Sequence, residues 1–110
     1  LLRAEQKMGQ RQPSIEAEGV RRGDMQLSVI GCSDAFGSGG RLQTCFHVAH
    51  DTGAFLIDCG ATSLIGLNRE GIDPNSIDTI FISHLHGDHF AGLVWWLIHA
   101  IYVGKRTAPL

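Results

Sequence analysis

The chain has 110 residues, of which 44% are hydrophobic and 18% are charged, and its formal net charge is −2. This length allows one domain at most, and the composition is ordinary for a soluble domain. The slight acidity does not indicate a nucleic-acid-binding surface. No apolar stretch reaches the roughly 18 residues of a membrane span, so we expect no membrane partner.

The three cysteines, Cys32, Cys45 and Cys59, are an odd number and lack C-x-x-C spacing. This pattern argues against a disulfide framework and against a structural zinc site. The start of the chain also lacks a secretory hydrophobic region. We therefore expect reduced, buried thiols in a cytoplasmic protein.

Residues 1–24 are rich in Gln, Glu, Arg and Gly and show no sustained hydrophobic period. They are predicted to form a leader or a disordered tail. A start codon read too far upstream and a regulatory tail would both explain them.

The first predicted strand, Gln26-Leu27-Ser28-Val29-Ile30, follows directly on Met25. The glycine-rich segment 31–40 permits unusual backbone angles but has no G-x-x-x-x-G-K pattern, so it is not interpreted as a nucleotide cradle. Residues 44–49 and 54–57 are predicted to be the next two strands. A turn at Asp51-Thr52-Gly53 would join them into a hairpin.

Thr62 is predicted to cap a short helix at residues 63–70 that Gly71 ends. Residues 75–78 are interpreted as a turn before a fourth strand at 79–83. The next long segment, residues 90–103, is apolar on all sides and predicts a buried helix. We expect its aromatic side chains, Trp95, Trp96 and Tyr102, to lie in the core.

The fourth predicted strand is followed at once by the run His84-Leu85-His86-Gly87-Asp88-His89. In an extended or tightly turning segment, His84 and His86 point the same way and can converge on one cation, which leaves Asp88 and His89 to face a second. Imidazole nitrogen with carboxylate oxygen suits zinc, with iron or manganese as alternatives. Two adjacent cations would form a site for attack on an ester or phosphodiester by hydroxide. The alternative is a polar loop in which histidines cluster by chance.

Three segments in this order resemble the metallo-β-lactamase fold hydrolases, and most of all the branch around ribonuclease Z and related phosphodiesterases. The segments are Gly31 to Arg41, Phe55-Leu56-Ile57-Asp58-Cys59-Gly60, and Ser83 to Gly92. The resemblance covers Met25 to Leu110. It implies an α/β fold, the N-terminal part of a four-layer αββα sandwich, with a dinuclear metal site at the edge of its two sheets.

The resemblance also implies that residues 25–110 are the N-terminal half of a domain about twice as long. Relatives take a third histidine, a bridging aspartate and a last histidine from downstream sequence, but the only histidine after His89 is His99. His99 lies ten residues further along a predicted helix, roughly 15 Å away, and is a poor ligand for the same metals. Each metal therefore has two visible ligands, fewer than the three or four that hold zinc well.

The family places a carboxylate beneath the metal loop, and the matching residue is Asp58. We expect it to accept the far ring N–H of a ligating histidine, the alternative being an aspartate that caps the following helix or closes a turn. Asp88 is the predicted catalytic residue, either as a metal ligand or as the group that orients the attacking hydroxide. His47 is expected to face solvent or a neighbouring sheet, and His50 is expected to be solvated. Gln43 stands where relatives often have Asn, at the predicted rim of the site.

These observations predict a hydrolase with two zinc ions that cleaves a phosphodiester or ester bond through metal-bridging hydroxide. The alternative is a non-catalytic metal-binding or interaction domain of the same fold. The sequence allows a nucleic-acid substrate, although the net charge does not indicate one. It also allows a homodimer. Residues 25–110 alone are expected to be a poor enzyme, with a large exposed apolar patch between Leu93 and Val103.

Overall fold

The computed structural model describes residues 23–110, so almost all of the predicted leader or tail at residues 1–24 lies outside the described residues. This part of the chain contains four strands, three α-helices and two short 3-10 turns. The elements are β1 (Gln26–Gly31), a 3-10 turn (Ser38–Gly40), β2 (Cys45–His50), β3 (Gly53–Ile57), α1 (Ser63–Arg69), a 3-10 turn (Pro74–Ser76), β4 (Thr79–Phe81), α2 (Gly87–Phe90) and α3 (Gly92–Tyr102). The predicted α/β class is confirmed.

The four strands form one sheet in the order β1-β2-β3-β4. The pairs β1–β2 and β2–β3 are antiparallel, and β3–β4 is parallel. The predicted hairpin is confirmed, because His50 pairs with Gly53 across its turn. A parallel pair needs a crossover connection, and α1 lies within the crossover between β3 and β4.

One face of the sheet is covered by α1 and α3. Side chains alternate between faces along a strand, so residues paired across the sheet share a face. Cys45 of β2 and Leu56 of β3 are fully buried on this covered face. They belong to one core cluster with α1 and α3, whose contributions include Leu67 and Trp96. Burial of a leucine-sized side chain contributes about 1.5–3 kcal/mol, so this cluster holds the helices to the sheet.

The other face of the sheet is apolar and largely open. One row crosses all four strands through Val29, Phe46, Ile57 and Phe81. Val29 is 55% exposed and Phe81 is 56% exposed, although Phe81 makes an edge-to-face contact with Phe55 at 5.5 Å between ring centroids. A second sheet of an αββα sandwich would pack on this open face.

The helix predicted at residues 90–103 begins at Gly92 and is buried along one stripe only. Its buried residues are Gly92, Trp96 and Ala100, spaced four apart. The prediction of a buried helix is wrong for most of its surface. Of the three aromatics expected in the core, Trp96 is buried as predicted, whereas Trp95 is 56% exposed and Tyr102 is 75% exposed. Only one stripe of a helix can meet a single sheet. The exposed apolar patch expected here is confirmed, and no helix within residues 23–110 is long and apolar enough to cross a membrane.

The cysteines differ in burial. All three are free; Cys45 and Cys59 are buried, as predicted, whereas Cys32 is exposed in the loop after β1, contrary to the prediction. Burial raises the pKa of Cys45 to about 12 and that of Cys59 to about 11. Both core thiols are therefore protonated at neutral pH.

His47 also departs from its prediction. It pairs with Leu56 and so lies on the covered face, where it is only 7% exposed and neither ring nitrogen has a hydrogen-bond partner. Burial lowers its pKa, because a dry environment disfavours the imidazolium. The expectation that His47 faces solvent or a neighbouring sheet is wrong, because it lies on the face covered by the helices, and His47 is a neutral core residue.

Candidate metal centre

The predicted metal loop follows β4 and is tied to the end of β3 by backbone hydrogen bonds. The Cys59 N–H donates to the His89 carbonyl at 2.8 Å, and the Gly92 N–H donates to the Cys59 carbonyl at 2.9 Å. A side chain at Gly60 would collide with the Asp88 carbonyl, and one at Gly92 would collide with the Gly60 carbonyl. Glycine at these two positions therefore lets the loop and β3 approach each other closely.

The structure brings the four predicted ligands together. The His84 ring lies 4.8 Å from the His86 ring and 4.1 Å from the His89 ring, measured between centroids. Asp88 Oδ2 lies 3.3 Å from His89 Nε2. His84 and His86 are exposed, whereas Asp88 and His89 are half-buried, so the cluster opens to solvent on one side.

Asp58 lies beneath this cluster, directly after β3, in the left-handed region with φ of 60°. Its side chain is buried and accepts hydrogen bonds from the Ser83 N–H at 2.7 Å, the Ser83 hydroxyl at 2.8 Å and His89 Nδ1 at 2.7 Å. Burial alone would raise the pKa of Asp58, but these hydrogen bonds outweigh it and hold the pKa below its ordinary value. The carboxylate is therefore ionised at neutral pH and contacts the loop rather than capping α1.

The hydrogen bonds of Asp58 favour one tautomer for two of the histidines. A neutral His89 that donates its Nδ1–H to Asp58 has Nε2 as its unprotonated nitrogen. Ser83 Oγ lies 2.9 Å from His84 Nδ1, so a Ser83 hydroxyl that donates to Asp58 can accept the His84 Nδ1–H. Both imidazoles would then present Nε2 as the free ligand atom.

Ser83 is a residue of the site that the sequence did not single out. It lies within the recognised segment, but its link between Asp58 and His84 requires the geometry of the loop. The available signal was its position, a hydroxyl residue directly before the first histidine at the end of a strand.

The donors suit zinc in chemical type but are incomplete in number. Imidazole nitrogens and one carboxylate are ligands that zinc accepts readily, and iron or manganese would accept them too. Within residues 23–110, however, no three His, Cys, Asp or Glu side chains are arranged to hold one metal ion together. The expectation of two ligands per metal stays a prediction.

The other histidines lie away from the cluster. His99 lines a separate pocket of about 520 Å³ near the end of α3, together with Asn75 and Gly104. His50 is half-buried at the hairpin turn, and its Nδ1 is 3.0 Å from the Thr52 hydroxyl.

Gln43 braces the glycine-rich loop against the segment that follows Asp58. Its side-chain oxygen accepts the Ala61 N–H at 2.7 Å, and its amide nitrogen donates to the Ala35 carbonyl at 3.0 Å. Its backbone N–H donates to the Thr62 hydroxyl at 2.8 Å. The prediction that Thr62 caps α1 is wrong, because the hydroxyl is used by this brace and makes no capping hydrogen bond.

Comparison with known sequences places this chain in a known family. The family described as "Anti-Pycsar protein Apyc1" matches residues 25–110. Ribonuclease Z from Methanococcus aeolicus is 35% identical over 86 residues, which are 78% of this chain and 26% of that protein. Ribonuclease Z from Bacteroides thetaiotaomicron is 36% identical over 85 residues, which are 77% of this chain and 27% of that protein. The chain thus spans about a quarter of the length of these curated relatives.

Solved structures of similar fold give the same placement. Human tRNase Z, short form, has a TM-score of 0.61 and 32% identity, over 64% of this chain and 27% of that one. The metallo-β-lactamase fold protein YhfI from Bacillus subtilis has a TM-score of 0.65 and 25% identity, over 74% of this chain and 34% of that one. A diphosphatase of the PhnP family has a TM-score of 0.52 and 29% identity, over 64% and 34% of the two chains. The chain belongs to the Apyc1 family, within the ribonuclease Z-like branch of the metallo-β-lactamase fold hydrolases.

Proposed function

We propose that this protein contributes the histidine cluster of a metal-dependent phosphodiesterase. The observation that carries the proposal is the network around Asp58, in which one ionised carboxylate orients His89 directly and His84 through Ser83. Such contacts to the far nitrogen are what a metal-ligating histidine needs to hold its ring and raise its basicity. A polar loop with histidines clustered by chance would not require them.

Imidazole nitrogen and carboxylate oxygen are donors that suit zinc. The proposed site holds two zinc ions, each with two ligands from this chain. The four ligands are His84, His86, Asp88 and His89. When bound, the metal would supply hydroxide at neutral pH and would stabilise the charge that develops on phosphate. Asp88, half-buried beside His89 Nε2, would act as a ligand and would orient the attacking group. The proposal requires further ligands from outside residues 84–89 to complete each ion's coordination.

The proposed substrate is a phosphodiester, with a carboxylic ester as the less supported choice. Two of the relatives are named ribonuclease Z, and another is named a diphosphatase, which favours phosphorus chemistry. RNA is one candidate substrate, although the net charge of −2 offers little attraction to a polyanion. A cytoplasmic location and a homodimer stay predictions.

The test compares His86→Ala with His99→Ala in the protein. His86→Ala removes an exposed imidazole of the cluster, so zinc content by elemental analysis and hydrolysis of bis-p-nitrophenyl phosphate should both fall sharply. His99→Ala, which changes a residue of the separate pocket, should leave both nearly unchanged.

Equal metal loss in the two variants would show that the ligands are wrongly assigned. Wild-type protein that binds zinc tightly through His86 but hydrolyses no phosphodiester or ester would favour the alternative, a non-catalytic metal-binding or interaction domain.

A further inference from the structure

The pocket of about 520 Å³ near the end of α3 is separate from the histidine cluster, since none of the four predicted metal ligands lines it. Its walls come from the end of α1, from the 3-10 turn at Pro74–Ser76 with the residues before it, and from the end of α3. Its volume falls within the range of small-molecule sites, about 300–1,000 Å³. The proposed function makes no use of this pocket.

Two walls of the pocket are fastened to each other. Arg106 Nη1 donates to the Asn75 carbonyl at 3.0 Å, and Asn75 Nδ2 donates to the Gly104 carbonyl at 3.4 Å. The Arg106 guanidinium also lies 5.6 Å from the centroid of the Trp96 ring, and the Arg106 N–H donates to the Ala100 carbonyl at 2.8 Å. The turn that carries Asn75 is thereby held to α3. A pocket with fixed walls binds a ligand without the entropic cost of ordering them.

Two side chains of the pocket carry buried polar atoms that lack a partner. Neither Asn75 Oδ1 nor His99 Nδ1 has a hydrogen bond within residues 23–110. Most buried polar atoms in folded proteins are paired, so each of these atoms favours a ligand that can pair with it. An amide oxygen can only accept a hydrogen bond, so Asn75 favours a donor. One hydrogen bond of 3.4 Å holds its amide, so a small rotation can turn the oxygen toward the pocket.

The charge around the pocket favours a cation. Asp73 lines the pocket, and its Oδ1 accepts a backbone N–H at 2.9 Å, which leaves Oδ2 for a ligand. Val103 and Gly104 directly follow α3, and the C-terminal end of a helix carries the negative end of the helix dipole. Among the described residues that line the pocket there is no Lys or Arg.

We infer that this pocket binds a small organic amine in its protonated form. The ammonium group lies at the Asp73 carboxylate and the Asn75 oxygen, because an ammonium carries three donors and no acceptor. The hydrocarbon part of the ligand packs against the apolar lining residues, which are Ile72, Pro74 and Val103. A neutral alcohol would lose the charge-assisted hydrogen bond, and a carboxylate ligand would be repelled by Asp73. The inference is independent of the proposed function.

The test compares 2-phenylethylamine with 2-phenylethanol, in which a hydroxyl replaces the ammonium group, and with 3-phenylpropionate, in which a carboxylate does. In NMR titrations of the metal-free protein at neutral pH, the amine should shift the backbone amides of residues 71–73, 75 and 103–104 until they saturate. The alcohol should bind about tenfold more weakly, as expected for the loss of one hydrogen bond to a charged group. The carboxylate should cause no saturable shift there, and the amides of residues 84–89 should stay unchanged with all three ligands.

The decisive variant is Asp73→Asn, which removes the charge and keeps an oxygen that can accept the Asn75 N–H. It should weaken binding of the amine about tenfold and leave binding of the alcohol unchanged. Asp51→Asn makes the same change at the hairpin turn between β2 and β3 and is the matched control. It should leave both affinities unchanged.

Equal binding of the amine and the alcohol by the wild type would overturn the inference, and so would an Asp73→Asn variant that keeps the full preference for the amine. An amine that causes no saturable shift at the pocket amides would overturn it as well. Zinc content and hydrolysis of bis-p-nitrophenyl phosphate test the proposed function separately, because they depend on the histidine cluster and not on this pocket.

Discussion

The two faces of the sheet are made by neighbouring residues with opposite surroundings. On β3, Leu56 is fully buried under the helices, whereas Ile57, one residue later, is 39% exposed on the open face. Both are aliphatic and of similar size. The two residues differ in burial because α1 and α3 pack on only one face of the sheet, and not because they differ in polarity or size.

The covered face is completed by helices that follow β3 and β4 closely in sequence. The open face carries a row of apolar side chains but nothing within residues 23–110 that packs over the row as a layer. The chain spans about a quarter of the length of its curated relatives. A second sheet supplied by the rest of such a domain stays our prediction for the partner of the open face.

The largest expected effect is on stability, in a comparison of Leu56→Ala with Ile57→Ala. In the 110-residue protein, Leu56→Ala should lower the free energy of unfolding by about 2–5 kcal/mol, because it leaves a cavity in the core. Ile57→Ala should cost less than about 1 kcal/mol, because its side chain is partly in water. Urea denaturation followed by circular dichroism measures both.

Equal costs for these two variants in the 110-residue protein would mean that the open face is covered, for instance by self-association. In a longer protein that contains a second sheet, the cost of Ile57→Ala should instead rise toward that of Leu56→Ala.

A second, smaller effect concerns pH. Burial lowers the pKa of His47 in the folded chain, so below the ordinary value of 6.5 the unfolded chain binds more protons. Stability from His47 is therefore fully present above pH 6.5 and is lost as the pH falls toward the folded pKa. The slope for one such group is at most about 1.4 kcal/mol per pH unit.

His47→Leu should remove this part of the slope in urea denaturation series between pH 5 and 8 (about the range over which histidine changes charge). His50→Leu, on the opposite face of the same strand, is the matched control. An unchanged slope in His47→Leu would show that His47 is accessible to protons in the folded chain.

The smallest expected effect concerns the chemical reactivity of the three thiols, which is first measured in the native protein. Burial raises the pKa of both Cys45 and Cys59, so neither should react with Ellman's reagent in the native protein near pH 8. The exposed Cys32 should react, giving one modified thiol before and three after denaturation. Cys32→Ser should abolish the native signal, and fast modification of a second thiol would show that the covered face opens readily.

The sequence predicted what depends on local pattern. The four strands, the hairpin and the long helix follow from runs of apolar residues and turn residues, and the H-x-H-x-D-H run marked the metal loop. The sequence misjudged burial wherever burial depends on a distant partner. Trp95 and Tyr102 were expected in the core because the helix is apolar all round. His47 was expected to face solvent or a neighbouring sheet because polar side chains are usually exposed.

Hydrogen bonds between residues far apart in the sequence also could not be predicted from local sequence patterns. Ser83 and Asp58 are 25 residues apart, and the Gln43 N–H meets the Thr62 hydroxyl across 19 residues. Thr62 directly precedes the helix, as a capping threonine does, yet its hydroxyl accepts the backbone N–H of Gln43 instead. The expected place of Asp58 beneath the loop came from the family resemblance, and the structure supplied the partners.

The left-handed backbone of Asp58 narrows the residues that could replace it. Among residues with side chains, Asn and Asp enter this conformation most readily, and glycine does so at no steric cost. Glycine would keep the turn and lose all three hydrogen bonds, whereas Glu would keep a carboxylate and strain the backbone. Asn alone would preserve the turn and a hydrogen-bonding side chain while removing the charge, so Asp58→Asn separates the shape of this corner from its electrostatics.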